Sequence, residues 1–464
     1  DGDVEFGFDV ESAADTEVSA PATLSVKGDD LTINGNFTGV TSLTIVSGAV
    51  SLGQSVDVLS HVTVGTDAAL TFQSSSFSGV HNQPGGLALQ SLATNGIAST
   101  SLLTLQDGIT LSADTMQLNS GIITVQGTVS LLAGLLNVSS GVTVDGKAQS
   151  SYGHRAGPGY VGGSGHSTGG HGGEGGGTTS PLSPTLWVGL SYGDPLEPTL
   201  PGSGGYSSTA IGGAALRVVT TMLILDGIID MDGGDGTIAS GAGGGASGGS
   251  VWITTEALAG ASPNAAISVR GGYGSAGGGG GRIALYCNSS THASRTKDYI
   301  GVPLLYAHGG LAHDHGSATD YRGGAGTVYI DGCGNATRTL LLDGNGSPRT
   351  TRLTNAALYD FGTISVYGDA KLAFGEDPER SGSTPANVIV TVERFLGDTG
   401  THIFLDNTIT LNLAPLALQN TQASPHKTTI TATPDGQRII TTNTTYVTDV
   451  ATLFGGPHVC SKGT

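Results

Sequence analysis

The chain has little charge, few aromatic residues and no long apolar run. Only 12% of its 464 residues are Asp, Glu, Lys or Arg, and 5% are Phe, Trp or Tyr. The charge is mainly acidic, with a formal net value of −19. Nucleic acids and anionic membranes bind basic clusters, so this charge disfavours both, and we expect no nucleic-acid partner. No stretch approaches the roughly 18 apolar residues of a membrane span, which excludes membrane insertion.

Cysteine is also scarce, with Cys287, Cys333 and Cys460 as the three examples. Three cysteines do not make a disulfide scaffold. Cys287 and Cys333 each end a unit made of a glycine run and a strand-like segment, and a sequon follows each of them closely. This parallel predicts a disulfide between neighbouring units, with two buried free thiols as the alternative. Cys460 is then left for a partner outside the chain or for an intermolecular bond.

Glycine and hydroxyl residues are abundant. The chain contains 78 glycines and 102 serines and threonines. Hydroxyls and N-linked glycans can replace charge in keeping a surface hydrated, and a sequon marks a surface position in a secreted protein. We therefore expect an extracellular or cell-surface glycoprotein. The candidate N-glycosylation sites are Asn36, Asn137, Asn288, Asn335, Asn345 and Asn443.

A short repeat of apolar–polar–apolar triplets runs through the first 150 residues. Triplets of this kind put two apolar residues on one face of a short strand and the polar residue on the other. They recur every six or seven residues, which is too close for the hairpins of a sandwich. The clearest series is Leu103–Leu105, Ile109–Leu111, Met116–Leu118, Ile123–Val125, Val129–Leu131, Leu136–Val138 and Val142–Val144.

Three such triplets form a coil of about 20 residues, the size of one turn of a β-solenoid. The fold class that this predicts is all-β, as an elongated parallel β-helix with glycine-rich turns and loops. We expect a solenoid with short-period strands over 1–150 and a glycine-rich β-helix section over 151–335. Residues 336–464 then form further β-helix or a β-rich terminal domain.

The middle section alternates glycine runs with strands, as in GAGGGASGGSVWITTEALAG, AISVRGGYG and GGGGGRIALY. Glycine permits sharp corners and close approach of backbones, so the runs predict corners and packing surfaces between coils. The order of these pieces resembles the Gly-rich repeat of large secreted pectin-lyase-like proteins on the surface of bacteria and protists. The resemblance covers residues 150–335. It implies an extracellular right-handed β-helix and supplies no catalytic residue.

Two sets of residues are candidate metal ligands. Asp226, Asp230, Asp232 and Asp235 could supply oxygen ligands to calcium, although aspartates at glycine-rich turns commonly cap the turn instead. His308, His313 and His315 could bind zinc or copper, or they could simply occupy exposed loops. The glycine runs do not predict a nucleotide site, because they precede strands rather than a helix and no Gly-Lys-Ser/Thr follows them.

The sequence lacks the carboxylate and basic groupings with which β-helical polysaccharide lyases and hydrolases work. We therefore expect a structural protein rather than an enzyme, with no required cofactor. Low charge and abundant small residues permit close lateral packing, and no charged or helical cap stands near either end. The partners that this favours are further copies of the chain, in a filament, a surface coat or a flagellar-hair-like appendage. The alternatives are a cell-surface adhesin that binds glycans or surfaces, and a β-helix carbohydrate-active enzyme.

Overall fold

The described part of the chain is all-β, as the sequence predicts. The computed structural model describes residues 4–6, 10–12, 16–26, 31–33, 37–52, 61–72, 86–94, 101–162, 166–177, 188–237, 243–287, 303–313, 321–333, 338–353, 358–374, 388–397, 402–405, 409–413, 428–432 and 438–442. These ranges contain 26 strands and no α-helix. Accordingly, they include no helix with the length and hydropathy of a membrane span.

The strands are β1 (Val4–Phe6), β2 (Val10–Ser12), β3 (Thr16–Val26), β4 (Leu31–Ile33), β5 (Phe37–Leu52), β6 (His61–Phe72), β7 (Gly86–Thr94), β8 (Ser101–Leu105), β9 (Thr110–Val125), β10 (Thr128–Asp145), β11 (Ala215–Leu225), β12 (Ile228–Asp230), β13 (Ser250–Ala259), β14 (Ala266–Ser268), β15 (Arg282–Cys287), β16 (Leu304–Tyr306), β17 (Thr327–Asp331), β18 (Thr339–Asp343), β19 (Thr350–Leu353), β20 (Leu358–Tyr367), β21 (Lys371–Phe374), β22 (Val388–Gly397), β23 (His402–Leu405), β24 (Ile409–Leu413), β25 (Thr428–Ala432) and β26 (Arg438–Thr442).

Two ladders of parallel pairings organise the chain up to β17. The first contains β1, β3, β5, β6, β7, β9, β10, β11, β13, β15 and β17. The second contains β2, β4, β5, β6, β8, β9, β10, β12, β14 and β16. The long strands β5, β6, β9 and β10 belong to both. Paired residues in these long strands, such as Leu111 with Leu131, are about 20 positions apart in the sequence.

The triplets of the sequence explain the alternating burial within these strands. Leu103, Leu105, Ile123 and Val125 are buried, whereas Thr104 and Thr124 between them are partly exposed. Successive strands stack their apolar residues in the same rows, so Leu103 lies beside Ile123. The rows form one continuous apolar core that extends from Leu43 to Val328.

The direction of pairing changes after β17. Strand β18 pairs antiparallel with β17, and β20, β22 and β24 then follow β18 in parallel. A separate sheet has the order β19–β21–β23–β26–β25. A second apolar core lies here, and it includes Tyr329 of β17 together with Tyr359 and Phe361 of β20.

A disulfide joins Cys287 to Cys333, as the parallel between the two glycine-plus-strand units predicts. The two Cα atoms are 4.9 Å apart. Cys287 ends β15, and Cys333 follows β17 by two residues. The bond therefore ties the last rungs of the first ladder together just before the chain reverses. Cys460 lies outside the described residues.

Candidate functional site

Glycine-rich segments that connect the ladder strands are packed together in the interior. Residues 243–249 and 274–281 are buried throughout, as are residues 167–177 and 323–326. These segments have almost no side chains with which to exclude water. Their burial therefore depends on backbone contacts, and the partners of their backbone hydrogen bonds explain the packing.

The run of five glycines donates hydrogen bonds with a period of three residues. The pairs are Gly277 N to Tyr321 O, Gly278 N to Gly272 O, Gly279 N to Gly169 O, Gly280 N to Gly324 O and Gly281 N to Val269 O. Gly277 and Gly280 thus donate to residues 321–324, and Gly278 and Gly281 donate to residues 269–272. Gly279 donates to a different neighbour, Gly169. A β-strand would send successive amides to two opposite sides instead.

Residues 245–249 repeat this period. The pairs are Gly245 N to Ala276 O, Ala246 N to Gly234 O, Ser247 N to Ser203 O, Gly248 N to Gly279 O and Gly249 N to Met231 O. A period of three is that of an extended polyproline II-type helix, which has three residues per turn and no internal hydrogen bonds. Six neighbouring stretches exchange backbone hydrogen bonds with this segment: 169, 203, 213, 231–234, 272 and 276–282. We call this assembly the glycine bundle.

The close approach of the segments requires glycine. A Cβ atom on Gly278 would lie 1.8 Å from the carbonyl oxygen of Ala246, and one on Gly323 would lie 1.8 Å from that of Gly278. Neither residue has a positive φ. Space, rather than an unusual backbone angle, therefore explains these glycines.

The sequence contains a pattern that indicates the bundle. The prediction that the glycine runs form corners did not use this pattern. Residues 168–176 read Thr-Gly-Gly-His-Gly-Gly-Glu-Gly-Gly, so every third residue bears a side chain. Tyr273, Ala276 and Arg282 keep the same spacing, with Gly279 between the last two. Side chains three residues apart lie on the same side of a threefold helix, which leaves the other two sides bare for packing.

Arg282 marks the point where the five glycines enter β15, and it is fully buried. Its Nε donates to the carbonyl oxygen of Tyr192 at 2.9 Å and one terminal nitrogen donates to Thr327 Oγ1 at 3.0 Å. The other terminal nitrogen lies 3.4 Å from the carbonyl oxygen of Arg352. Burial lowers the pKa of Arg282 to about 10, so the guanidinium remains charged at neutral pH. It holds three separate parts of the chain around the end of the bundle.

His171 lies beside Arg282 and is also fully buried. Its Nδ1 is 2.9 Å from the carbonyl oxygen of Gly248, so Nδ1 must carry the proton and donate it. Its ring packs against that of Tyr192 in a tilted arrangement, with centroids 4.6 Å apart. Burial, and secondarily the charge of Arg282, lower the pKa of His171 to about 3. The ring is therefore neutral, and its Nε2 has no hydrogen-bond partner among the described residues.

The candidate calcium ligands act as caps for backbone amides. Asp226 accepts from Ala261 N and Ser262 N, and Asp235 accepts from Tyr273 N. Their partners lie 35 to 38 residues further along the chain, so each carboxylate ties its turn to the next glycine-plus-strand unit.

The other two aspartates of this set lie close together. Asp232 forms an ion pair with Arg270 at 2.9 Å and accepts from Ser268 Oγ at 2.5 Å. Asp230 accepts from Asp232 N at 2.9 Å. Burial, and secondarily the charge of Asp232, raise the pKa of Asp230 to about 6. The ionisation of Asp230 therefore changes in mildly acidic solution.

The candidate histidine ligands do not form a described metal site. His308 Nδ1 lies 3.0 Å from the carbonyl oxygen of Gly309, and His313 packs edge-on against Tyr273 with centroids 6.0 Å apart. His315 lies outside the described residues. Within the ranges described above, no three His, Cys, Asp or Glu side chains are grouped so that they could hold a metal ion.

Two of the six sequons lie in the described part of the chain. Asn137 stands in β10, and its Nδ2 donates to Gln117 Oε1 of the neighbouring β9 at 3.0 Å. Asn345 is exposed in a turn after β18, with φ 47°. Both positions are at least partly accessible. Asn36, Asn288, Asn335 and Asn443 lie outside the described residues.

Four serines have local features of a nucleophile: Ser167, Ser191 and Ser247 each fit the pattern G-x-S-x-G, and Ser275 lies beside a histidine. Ser167 and Ser247 are fully buried, and the Oγ of Ser191 is buried without a hydrogen-bond partner among the described residues. Ser247 stands in Gly-Ala-Ser-Gly-Gly, which fits the nucleophile pattern G-x-S-x-G. That pattern needs a strand before it and a helix after it, whereas this segment enters β13. Its Oγ accepts from Ser203 N at 2.8 Å. Ser275 Oγ lies 3.2 Å from His166 Nδ1, and it accepts from Gly243 N at 3.0 Å. At 0% and 2% exposure, these hydroxyls contribute to packing.

Comparison with protein families, with curated proteins and with solved structures finds no match to this chain.

Proposed function

We propose that this chain is a secreted, N-glycosylated structural protein, a subunit of an extracellular filament, surface coat or hair-like appendage. The glycine bundle is the observation that carries the proposal. Its segments are hydrogen-bonded to neighbours in several directions, whereas a sheet is bonded in one plane only. Such a bundle resists bending and shear, which is the property required of a load-bearing element.

The register of the ladders supports a parallel β-helix as the form of this subunit. Leu43 pairs with Val62 in the first ladder, and Val50 pairs with Leu70 in the second. A chain that advances through two faces of a coil and returns after about 20 residues would give this register. In this proposal the glycine bundle packs along the β-helix as a second layer that is poor in side chains.

The disulfide supports an extracellular location, because disulfides persist mainly in oxidising compartments. Asn137 and Asn345 are accessible positions for N-linked glycans. In the same proposal the aspartates of residues 226–235 cap turns and no metal is required. Thermal unfolding with and without a calcium chelator tests that point, and a lower melting temperature in chelator would contradict it.

Electron microscopy of the secreted, purified protein tests the structural role. Regular filaments or two-dimensional arrays, growing with protein concentration, are the expected result. Separate particles at every concentration, together with turnover of a polysaccharide, would overturn it. In the array-forming case, removal of N-glycans by an endoglycosidase should shift the mass of the protein by whole glycan units.

A further inference from the structure

A segment rich in proline lies against strands of the first ladder. Residues 194–201 read Asp-Pro-Leu-Glu-Pro-Thr-Leu-Pro, and we call them the proline segment. Its three prolines, Pro195, Pro198 and Pro201, recur every third residue and are all buried, whereas Thr199 is exposed. In an extended helix with three residues per turn, residues three apart face the same side. The prolines therefore face the protein, and the threonine faces solvent.

The sequence restricts the backbone on both sides of Thr199. The ring of Pro198 fixes the φ angle of that residue. A residue that precedes a proline is kept out of the helical region, and this restriction applies to Glu197 and to Leu200. Thr199 is consequently held between neighbours that favour an extended chain.

Two hydroxyls from the first ladder hold the proline segment in place. Tyr286 Oη of β15 donates to the carbonyl oxygen of Leu196 at 2.9 Å. Ser250 Oγ of β13 donates to the carbonyl oxygen of Leu200 at 2.6 Å. These hydrogen bonds fix the backbone shortly before and directly after Thr199, so the fold presents this threonine on an anchored, extended segment.

We propose that Thr199 is an acceptor for an O-linked sugar. Hydroxyl residues among prolines are typical of O-glycosylated segments. A transferase that binds this segment loses little conformational entropy, because the fold has already fixed the acceptor backbone. The inference rests on the proposed function, since a secreted chain is the one that meets such transferases. It also orients the proposed filament, in which the side that bears Thr199 faces solvent.

The sugar donor in this proposal is a nucleoside-diphosphate sugar. Thr199 Oγ1 attacks the anomeric carbon of the sugar and forms the new glycosidic bond. The bond from that carbon to the diphosphate oxygen breaks, and the nucleoside diphosphate leaves with the electron pair. The hydroxyl proton passes to a base of the transferase or to the leaving diphosphate. The chain thus supplies the hydroxyl and its presentation, and the transferase supplies the catalysis.

Exposure of a hydroxyl is not sufficient for this reaction, as Thr254 of β13 illustrates. Thr254 is exposed, but its strand pairs with β11 on one side and with β15 on the other. A transferase cleft must enclose the acceptor backbone, and a strand between two others cannot enter a cleft without breaking its hydrogen bonds. Thr254 therefore provides a matched control for Thr199.

Mass spectrometry of the full chain, secreted by a eukaryotic host and freed of N-glycans, tests the site. The wild type is expected to carry an O-glycan on Thr199, localised by electron-transfer fragmentation. Thr199→Ala should lose this mass completely, Thr199→Ser should keep it, and Thr254→Ala should carry the same O-glycan as the wild type. Unmodified Thr199, or phosphate at this position, in a protein whose N-glycosylation sites are occupied would overturn the inference.

A transfer reaction on the folded, unglycosylated chain tests the acceptor independently of secretion. The chain is incubated with a polypeptide N-acetylgalactosaminyltransferase and radiolabelled UDP-N-acetylgalactosamine. Label should enter the wild type and Thr254→Ala equally and should be lost in Thr199→Ala. Equal label in Thr199→Ala and the wild type, or no label in either, would overturn the acceptor site. A chain that stays inside the host without N-glycans would instead reject the proposed secreted function.

Discussion

Gly278 and Ala246 approach so closely that a Cβ atom on Gly278 would lie 1.8 Å from the Ala246 carbonyl oxygen. The oxygen is a backbone atom in a buried segment, so it cannot rotate away as a flexible side chain could. The contact joins two segments of the glycine bundle, and no side chain separates their backbones at this point. Its tightness makes the bundle testable by single substitutions.

Gly278→Ala is expected to lower the free energy of unfolding by about 3 kcal/mol or more, because the added methyl group must displace the neighbouring backbone. Urea unfolding followed by circular dichroism measures the change. Gly141→Ala is the matched control, since its nearest contact would be an ordinary 3.7 Å from the Ser120 side chain. Equal stability of the two variants would contradict the packing of the bundle.

His171 should make the protein sensitive to acid. Its pKa is about 3 in the folded chain against 6.5 for an ordinary histidine, so the unfolded chain binds the proton first. Stability attributable to this residue is complete above pH 6.5 and is lost as the pH falls towards 3, by on the order of 5 kcal/mol. His171→Asn, which keeps a donor near Gly248 O, should flatten the stability curve in this range.

Thermal unfolding between pH 7.5 and pH 4 measures this flattening. His154→Asn is the control, because His154 is exposed. The pH dependence of the control should follow that of the wild type. If His171→Asn leaves the acid dependence unchanged, the buried neutral ring is not its source.

Asp230 should change the stability of the protein with pH in the opposite direction. Its pKa is raised from 3.8 to about 6, so the folded chain binds this proton more tightly than the unfolded chain. The stability that this tighter proton binding supplies is present below about pH 4, and it is lost as the pH rises through 6. Asp230→Asn keeps an oxygen for Asp232 N and removes the charge. We expect it to stabilise the protein by about 1–3 kcal/mol at pH 7.5 and by much less at pH 4.

Melting temperatures of Asp230→Asn and the wild type at the two pH values test the difference. Asp235→Asn provides the comparison, since Asp235 also caps a backbone amide but is exposed. It should show no such gain at pH 7.5. A gain for Asp230→Asn of the same size at both pH values would be inconsistent with a charge effect.

The Cys287–Cys333 bond closes a loop with a sequence separation of 46 residues. Loop-closure entropy predicts that Cys287→Ser with Cys333→Ser costs about 4 kcal/mol of stability. Unfolding in urea with both cysteines replaced, and of the wild type with and without reductant, gives the value. Reductant should destabilise the wild type and leave the double variant unchanged; destabilisation of the double variant as well would assign the effect to another bond.

The sequence predicts the ladders well because their signal is local. Leu103, Thr104 and Leu105 show by their alternation alone which side chains are buried, and the recurrence of such triplets gives the approximate pairing distance. The disulfide is predictable for a similar reason, since Cys287 and Cys333 occupy equivalent places in two units. The β-helix, the glycans and the extracellular role remain proposals.

The sequence does not predict the buried group at the end of the bundle, because its contacts join distant parts of the chain. Arg282 binds the carbonyl oxygen of Tyr192, which is 90 positions away. His171 binds that of Gly248, which is 77 positions away. Backbone carbonyls are present at every residue, so no residue type marks them as partners. The triplets of residues 168–176 are a visible pattern, but the segments that surround them can be identified only in three dimensions.

The period of three in the glycine bundle also constrains how its gene can change. Loss or gain of one residue within 277–281 would turn every following amide by about a third of a turn, away from its acceptor. Loss or gain of three residues would restore the direction of the amides and change only the length of the segment. Related proteins with the same bundle should therefore differ in their glycine runs by nine nucleotides or multiples of nine.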